Sequence, residues 1–83
     1  MNRVKVLLFA TLRERAGGAK FIEIDLPESA TVQDLKEQVA REHPNLEQSM
    51  RSVLATINRE YAFDEAVLPA GAEIAMFPPV SGG

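Results

Sequence analysis

The sequence predicts an α+β fold in which one helix packs across a mixed β-sheet. Segments rich in β-branched and aromatic residues, which favour strands, occur twice before and three times after one amphipathic segment. In that segment the apolar residues recur at the spacing of a helix. Glycine and proline stand between several of these segments, where the chain must turn. With 83 residues and 46% hydrophobic content, the chain can bury one modest core.

The first strand is predicted over residues 4–10, which are apolar apart from Lys5. A short turn of helix should follow over residues 11–15. We expect it to stop at Gly17 and Gly18, because glycine adopts the backbone angles of a turn more easily than other residues.

The second strand is predicted over residues 20–26, and Pro27 closes it. Polar and apolar side chains alternate along this segment, so successive residues point to opposite faces of the sheet. The alternation puts the aliphatic side chains on one face, which we expect to be buried. These side chains are Ile22, Ile24 and Leu26.

The main helix is predicted over residues 32–42. Thr31 is a good N-cap residue, and Asp34 three positions later resembles a capping box and suits the positive end of the helix dipole. Pro44 ends the helix, because proline has no backbone N–H to continue it. The apolar stripe that should face the sheet consists of Val32, Leu35 and Val39.

The second half of the chain predicts three short strands separated by turns. The strands are expected over residues 52–58, 61–63 and 73–77, with turns at Arg59-Glu60 and at residues 69–71. Two strands, one helix and three strands form the pattern of a β-grasp, ubiquitin-like domain. We therefore expect a single β-grasp domain over residues 1–77, followed by an extended tail over residues 78–83.

Charge and composition exclude several classes of function. Nine basic and twelve acidic residues give a net charge of −3, which argues against binding to nucleic acid or to an anionic membrane. The apolar stretch near the N-terminus has only seven residues and contains Lys5, so it is too short to span a membrane. The chain contains no cysteine, which excludes disulfides and thiol chemistry and is compatible with the cytoplasm. The partner that this composition favours is a protein.

No residue pattern predicts an enzyme that works alone. His43, the single histidine, stands at the predicted end of the helix and is interpreted as a partner of the helix dipole. The pair Gly17-Gly18 lacks the flanking residues of a phosphate-binding loop. The acidic residues are expected to be solvated, so no metal is predicted. The serines have no base partner recognisable from the sequence.

The most informative segment is the tail, Pro78-Pro79-Val80-Ser81-Gly82-Gly83. The two prolines fix φ near −65° and favour an extended path, so the tail should leave the domain in one preferred direction. Six extended residues reach about 20 Å, far enough to cross a partner's surface into a buried site. Gly82 and Gly83 can enter a narrow channel because they have no side chain. The tail therefore looks suited to present its own carboxylate.

An apolar patch is expected beside the start of the tail. If the helix covers the sheet face that carries Val6 and Ile74, the opposite face carries Leu7, Phe9, Ala75 and Phe77. Apolar patches on small domains usually mark protein interfaces, although a loop covering Leu7 and Phe9 is an alternative. Arg13 and Arg59 could flank the patch as polar rim contacts, or could be solvated charges of little energetic weight.

The chain resembles the small subunit of molybdopterin synthase, the MoaD-type sulfur carrier. The resemblance covers essentially the whole chain and rests on its tail motif and on two upstream motifs. The motifs are Phe77-Pro78-Pro79-Val80-Ser81-Gly82-Gly83, Ile57-Asn58-Arg59-Glu60, and Val6-Leu7-Leu8-Phe9-Ala10 followed by Arg13-Glu14.

The resemblance implies a function for the tail and names the partners. Gly83 would be adenylated by an E1-like activating enzyme that uses ATP, then converted by a sulfur donor into a thiocarboxylate. Gly82 would be the residue that fits the channel. The large synthase subunit would take up the tail and pass the sulfur to a pterin precursor in the cytoplasm. The resemblance also implies a heterotetramer with two large subunits and no bound cofactor. The remaining contacts to partners would come from Leu7, Phe9, Arg13, Arg59, Ala75, Phe77, Pro78, Pro79, Val80 and Ser81.

Three alternatives share parts of this interpretation. A ubiquitin-like modifier would undergo the same activation but would end in an isopeptide bond between Gly83 and a lysine of a target protein. A sulfur carrier for thiamine or another pathway is disfavoured by the Phe77-Pro78-Pro79 segment. A structural β-grasp adaptor predicts that deletion of Gly83 changes nothing.

Overall fold

The computed structural model describes residues 2–79 of the chain. Five strands and two α-helices are joined by turns and by two short 3-10 helices. The strands are β1 (Asn2–Leu8), β2 (Phe21–Leu26), β3 (Leu54–Ile57), β4 (Glu60–Ala62) and β5 (Ile74–Phe77). The α-helices are α1 (Thr11–Arg15) and α2 (Val32–Glu42), and the 3-10 helices are Pro44–Leu46 and Ser49–Arg51.

The strands form one mixed sheet in the order β2-β1-β5-β3-β4. The first and last strands are neighbours and run parallel, with Leu7 opposite Ala75, while the other pairs are antiparallel. A parallel pair needs a long crossover connection. Here the chain between β1 and β5 supplies it, and α2 lies within that connection. This is the β-grasp arrangement that the sequence predicts.

The core lies between α2 and one face of the sheet. Val6 and Leu8 of β1 are fully buried, as are Ile74 and Met76 of β5. The opposite face of the sheet carries Leu7 and Phe77, which are half-buried. The prediction from strand parity is therefore confirmed, and the helix covers the Val6 and Ile74 face. The helix contributes its predicted stripe of Val32, Leu35 and Val39, all fully buried.

The predicted capping box at the start of α2 is present. The Asp34 N–H donates to the Thr31 Oγ1 at 3.2 Å, and the Thr31 N–H donates to the Asp34 carboxylate at 3.0 Å. Two N–H groups that the helix leaves without a partner are thereby satisfied. At the other end, the His43 N–H donates to the Val39 carbonyl at 2.8 Å, so the C-cap of the helix uses the backbone of His43.

The strand boundaries differ from the predictions by one or two residues, and two of these differences have a local cause. Strand β1 ends at Leu8, two residues early, because Ala10 has φ 54° and ψ −129° and turns the chain into α1. The turn predicted at Arg59-Glu60 lies one residue earlier, at Asn58 and Arg59, and Glu60 belongs to β4. Asparagine tolerates positive φ better than most residues, and this tolerance fixes where the hairpin turns.

The segment between α2 and β3 contains two 3-10 helices that the periodicity did not predict. They bury Leu46 and Met50 beside α2 and close one end of the core. Three-residue elements are too short to give a periodic signal in the sequence. Within residues 2–79, no helix has the length and apolar character that crossing a membrane requires.

Candidate functional site

The face of the sheet that α2 leaves uncovered, here called the open face, carries a shallow apolar hollow. The hollow has a volume of about 340 Å³ and lies over β1, β5, β3 and β4. It is lined by Leu7, Phe9, Thr56, Arg59, Tyr61, Glu73, Ala75 and Phe77. Five of the predicted contact residues, Leu7, Phe9, Arg59, Ala75 and Phe77, thus meet in one place.

Two stacked aromatic rings form one wall of the hollow. The ring centroids of Phe9 and Phe77 are 4.6 Å apart and their planes differ by only 11°. Both rings are half-buried, so part of each remains accessible from outside. Stacked aromatic pairs contribute about 0.5–1.5 kcal/mol beyond the area they bury. The stack therefore joins the segment after β1 to the last residue of β5.

Arg13 lies close to this stack without lining the hollow. Its guanidinium carbon is 5.8 Å from the Phe9 ring centroid, within the range of a cation–π contact. Its Nε donates to the Leu8 carbonyl at 3.3 Å. Arg13 thereby fixes the chain around Phe9 from the α1 side. The expectation that Arg13 flanks the apolar patch agrees with this placement.

The apolar patch is less exposed than the sequence indicates. Ala75 points to the open face, yet it is only 7% exposed. Its small side chain lies on the middle strand of the sheet between Leu7 and Thr56, its neighbours in register. Larger groups beside a short side chain shield it from solvent. Ala75 therefore forms the floor of the hollow, and the larger half-buried side chains form its walls.

Three residues of the hollow were not predicted from the sequence: Thr56, Tyr61 and Glu73. Tyr61 is opposite Thr56 in the β3–β4 register and is 75% exposed, which makes it the most accessible apolar surface of the hollow. The signal that could have identified Tyr61 is alternation within the hairpin. A strand of three residues is too short for that signal to be read without the structure.

The rim of the hollow is held by the β3–β4 turn. The Asn58 N–H donates to the Glu73 carbonyl at 2.8 Å, and the Glu73 N–H donates to the Asn58 Oδ1 at 2.9 Å. The Arg59 Nε lies 3.3 Å from the Glu73 Oε1. A positive and a negative side chain therefore stand together at this end of an otherwise apolar surface.

The other half of the open face, over β1 and β2, is charged. Arg3 and Asp25 form an ion pair with 3.1 Å between the Arg3 Nε and the Asp25 Oδ1, and this hydrogen bond raises the pKa of Arg3. Lys5 lies 4.2 Å above the Phe21 ring. The apolar hollow is thus confined to the side of the sheet from which the tail departs.

The tail begins between two surfaces of different character. Phe77 belongs to the hollow, whereas Pro78 and Pro79 border a polar groove of about 270 Å³. The groove is also lined by Thr11, Leu12, Arg15, Gln48, Ser49 and Ser52. The predicted contact residues Val80 and Ser81, and the predicted reactive residues Gly82 and Gly83, lie outside the described residues.

Among residues 2–79, no three His, Asp or Glu side chains come together as a metal site requires. The described part of the open face has an apolar hollow with the charged residues Arg59 and Glu73 at its rim. Such a surface can bind a protein, and the segment that follows Phe77 would then start next to that bound protein.

Comparisons with known proteins agree on one group. A model described as the ThiS family matches residues 6–83. The molybdopterin synthase sulfur carrier subunit of Arabidopsis thaliana is 35% identical over 80 residues, which cover 96% of this chain and 82% of the relative. The protein of the same name from Chlamydomonas reinhardtii is 37% identical over 83 residues, which cover 98% of this chain and 99% of the relative.

A solved structure extends the comparison to a protein with a different name and role. The crystal structure of the small archaeal modifier protein 1 of H. volcanii superposes with a TM-score of 0.83 at 30% identity. The match covers 96% of this chain and 100% of that chain. The architecture described above is thus shared with a protein modifier, while the sequence is similar to those of sulfur carriers.

Proposed function

The chain belongs to the ThiS family, and on that basis we propose that it is the sulfur carrier subunit of a molybdopterin synthase. The observation that supports this proposal best is the place where the tail begins. The segment Pro78-Pro79 begins directly after Phe77, whose ring is part of the apolar hollow. A partner that docks on the hollow would therefore receive the tail at a defined position.

The proposed chemistry takes place at Gly83. A carboxylate is a poor electrophile, so its oxygen must first become part of a better leaving group. An activating enzyme would transfer AMP from ATP to the Gly83 carboxylate and release pyrophosphate. Sulfur at the oxidation level of sulfide, delivered by a donor protein, would then attack the carbonyl carbon and displace AMP. The product is a thiocarboxylate.

The large synthase subunit is the proposed acceptor of this tail. The thiocarboxylate sulfur would bond to a carbon of a pterin precursor in place of an oxygen substituent, and water would then cleave the bond between that sulfur and the Gly83 carbonyl carbon, which restores the carboxylate. Gly82 would allow the tail to pass a narrow channel because it has no Cβ. Phe9, Tyr61 and Phe77 would supply the apolar contacts of docking, since aromatic side chains bury large areas in interfaces. We expect these steps to occur in the cytoplasm, where ATP is available.

The proposal is tested by intact mass measurement. The protein would be incubated with ATP, the activating enzyme and a sulfur source, and any change would be located by fragmentation. A mass gain of one oxygen-for-sulfur exchange at Gly83 is the expected result. An unchanged mass, with the activating enzyme shown to be active on a control carrier, would contradict the proposal.

A protein modifier is the second candidate, because the archaeal modifier shares the fold over nearly the whole chain. Activation of Gly83 would be the same, and the final nucleophile would be a lysine amine of a target protein. Target peptides that carry Gly82-Gly83 on a lysine would support this function. Their absence from cells that form the thiocarboxylate would favour the sulfur carrier.

A further inference from the structure

Arg59 occupies a backbone position that suits glycine. Residues Ile57 and Glu60 pair across the β3–β4 hairpin, so Asn58 and Arg59 form a two-residue loop. Their φ angles are 51° and 72°, both in the left-handed region. Tight hairpins with positive φ at both loop positions prefer asparagine followed by glycine. Asn58 follows this preference, whereas Arg59 departs from it and must adopt an unfavourable conformation.

Contacts among residues 2–79 do not account for an arginine here. The Arg59 side chain is 87% exposed, so it contributes little burial. Its ion pair with Glu73 has a distance of 3.3 Å, and 47% of the Glu73 side chain is exposed. Ion pairs between exposed side chains contribute little to stability.

The position of the turn does not depend on the Arg59 side chain either. Two hydrogen bonds between Asn58 and Glu73, both shorter than 3 Å, attach the turn to the segment before β5. The Arg59 guanidinium is therefore available to a partner while the turn stays in place. It stands at the rim of the hollow, on the same surface as Tyr61 and Phe77.

We infer that Arg59 is a specificity-determining contact that recognises a carboxylate on the protein docked over the hollow. The occupant is a protein surface with an apolar side chain above Ala75 and an acidic side chain at the Arg59 end. On docking, the partner's carboxylate takes the place of Glu73 at the guanidinium. Charge-assisted hydrogen bonds of this kind select partners and accelerate their association. This inference rests on the proposed function, in which the occupant is the large synthase subunit.

The test measures binding of the purified large subunit of the same organism to four variants of the full chain. Arg59→Gly relieves the backbone, Arg59→Gln keeps the strained backbone without the charge, and Arg59→Glu reverses the charge. Arg41→Gln is the matched control, because Arg41 is exposed on α2, on the far side of the sheet. Dissociation constants would be measured at about 50 mM and about 500 mM salt, since salt screens exposed charges. The thermal midpoint of each variant would be measured alongside.

The affinities should fall as the positive charge at position 59 is removed and then reversed. At low salt we expect Arg59→Gly and Arg59→Gln to weaken binding about three- to tenfold, and Arg59→Glu to weaken it further. High salt should reduce these differences, and Arg41→Gln should bind as the wild type does. Arg59→Gly should not lower the thermal midpoint, because glycine suits the turn.

Equal affinities for wild type and all three Arg59 variants would overturn the inference, and so would affinities that follow the thermal midpoint instead of the charge. In both cases the proposed function would stand if the wild-type chain binds the large subunit. If the wild-type chain does not bind it, the proposed function fails and the inference fails with it.

Discussion

Phe9 and Phe77 stack face to face, 4.6 Å between ring centroids, although they come from opposite ends of the sequence. Phe9 follows β1 and Phe77 ends β5, and these two strands are parallel neighbours in the sheet. The stack therefore connects the α1 segment with the residue that precedes the tail. An interaction between these two rings should be measurable as a coupling of their substitutions.

A double-mutant cycle with Phe9→Leu and Phe77→Leu tests this stack. Each single change should lower the free energy of unfolding, and the pair should lower it by less than the sum. The expected coupling is about 0.5–1.5 kcal/mol, the contribution of an aromatic pair beyond its buried area. Urea denaturation monitored by circular dichroism provides the four free energies.

The matched control is a second double-mutant cycle, which combines Phe9→Leu with Phe63→Leu. Phe63 is an aromatic residue on the same domain but is 82% exposed, and in the described structure it does not stack on Phe9. Its substitution by leucine should be additive with Phe9→Leu. Additivity in both cycles would mean that the Phe9–Phe77 stack contributes no stability.

Ala10→Gly should stabilise the domain. Ala10 has φ 54° and ψ −129°, a region in which residues with a Cβ are strained. Relief of about 1–3 kcal/mol of strain is opposed by about 0.5–1 kcal/mol of extra chain entropy in the unfolded state. The net gain should be about 1 kcal/mol in urea unfolding.

The control for Ala10 is Ala70→Gly, another exposed alanine in a turn, which is not among the residues of positive φ. Here glycine relieves no strain, so the change should destabilise the domain by a few tenths to about 1 kcal/mol. Two changes of the same sign would show that Ala10 is not strained in solution.

Thr31→Ala should cost about 1 kcal/mol of stability by removing the N-cap of α2. Thr31 and Asp34 each accept a hydrogen bond from the other's backbone N–H, which alanine retains, so Asp34→Ala removes a second hydrogen bond and should lower the stability further. Thr11→Ala is the comparison, because the N-terminus of α1 has no side-chain cap. Equal losses from the Thr31 and Thr11 variants in thermal unfolding would argue against a stabilising capping box.

Deletion of Gly83 should separate function from folding. The buried core is built from residues between Val6 and Met76, so the free energy of unfolding should change by less than about 0.5 kcal/mol. Sulfur transfer with the activating enzyme and the large subunit should be abolished, because the reacting carboxylate would then belong to Gly82. Gly82→Leu should fold equally well and fail at the acceptor channel. Full synthase activity of the deletion variant would support an adaptor instead.

Much of this fold follows from local patterns. Alternation in β2 and the parity of β1 and β5 correctly predicted which side chains face α2. The capping box was readable because Thr31 and Asp34 are close in sequence and satisfy neighbouring N–H groups. The apolar hollow was predictable in part, because strand parity puts Leu7 and Phe77, and Phe9 just after β1, on the face opposite the helix.

Features set by tertiary contacts were not predictable in this way. Glu60 pairs with Ile57 and so belongs to β4, and this pairing places the turn one residue earlier than predicted. The burial of Ala75 depends on its neighbours from β1 and β3, which no local pattern reveals. Tyr61 lies in a strand of three residues, which is too short for alternation to predict the side of the sheet on which its side chain lies. In each case the deciding information is the pairing or packing of neighbouring strands.

The place of β5 in the sheet has a consequence for synthesis on the ribosome. β5 is the last strand of the sheet in sequence, yet it lies between β1 and β3. A nascent chain that has not released residues 74–77 lacks the strand that joins the two hairpins, so the sheet cannot close. The same four residues carry Phe77 and lead into the tail. Incomplete chains would therefore lack both the hollow and the tail to which the proposed function assigns docking and chemistry, so under that proposal only finished molecules could be activated.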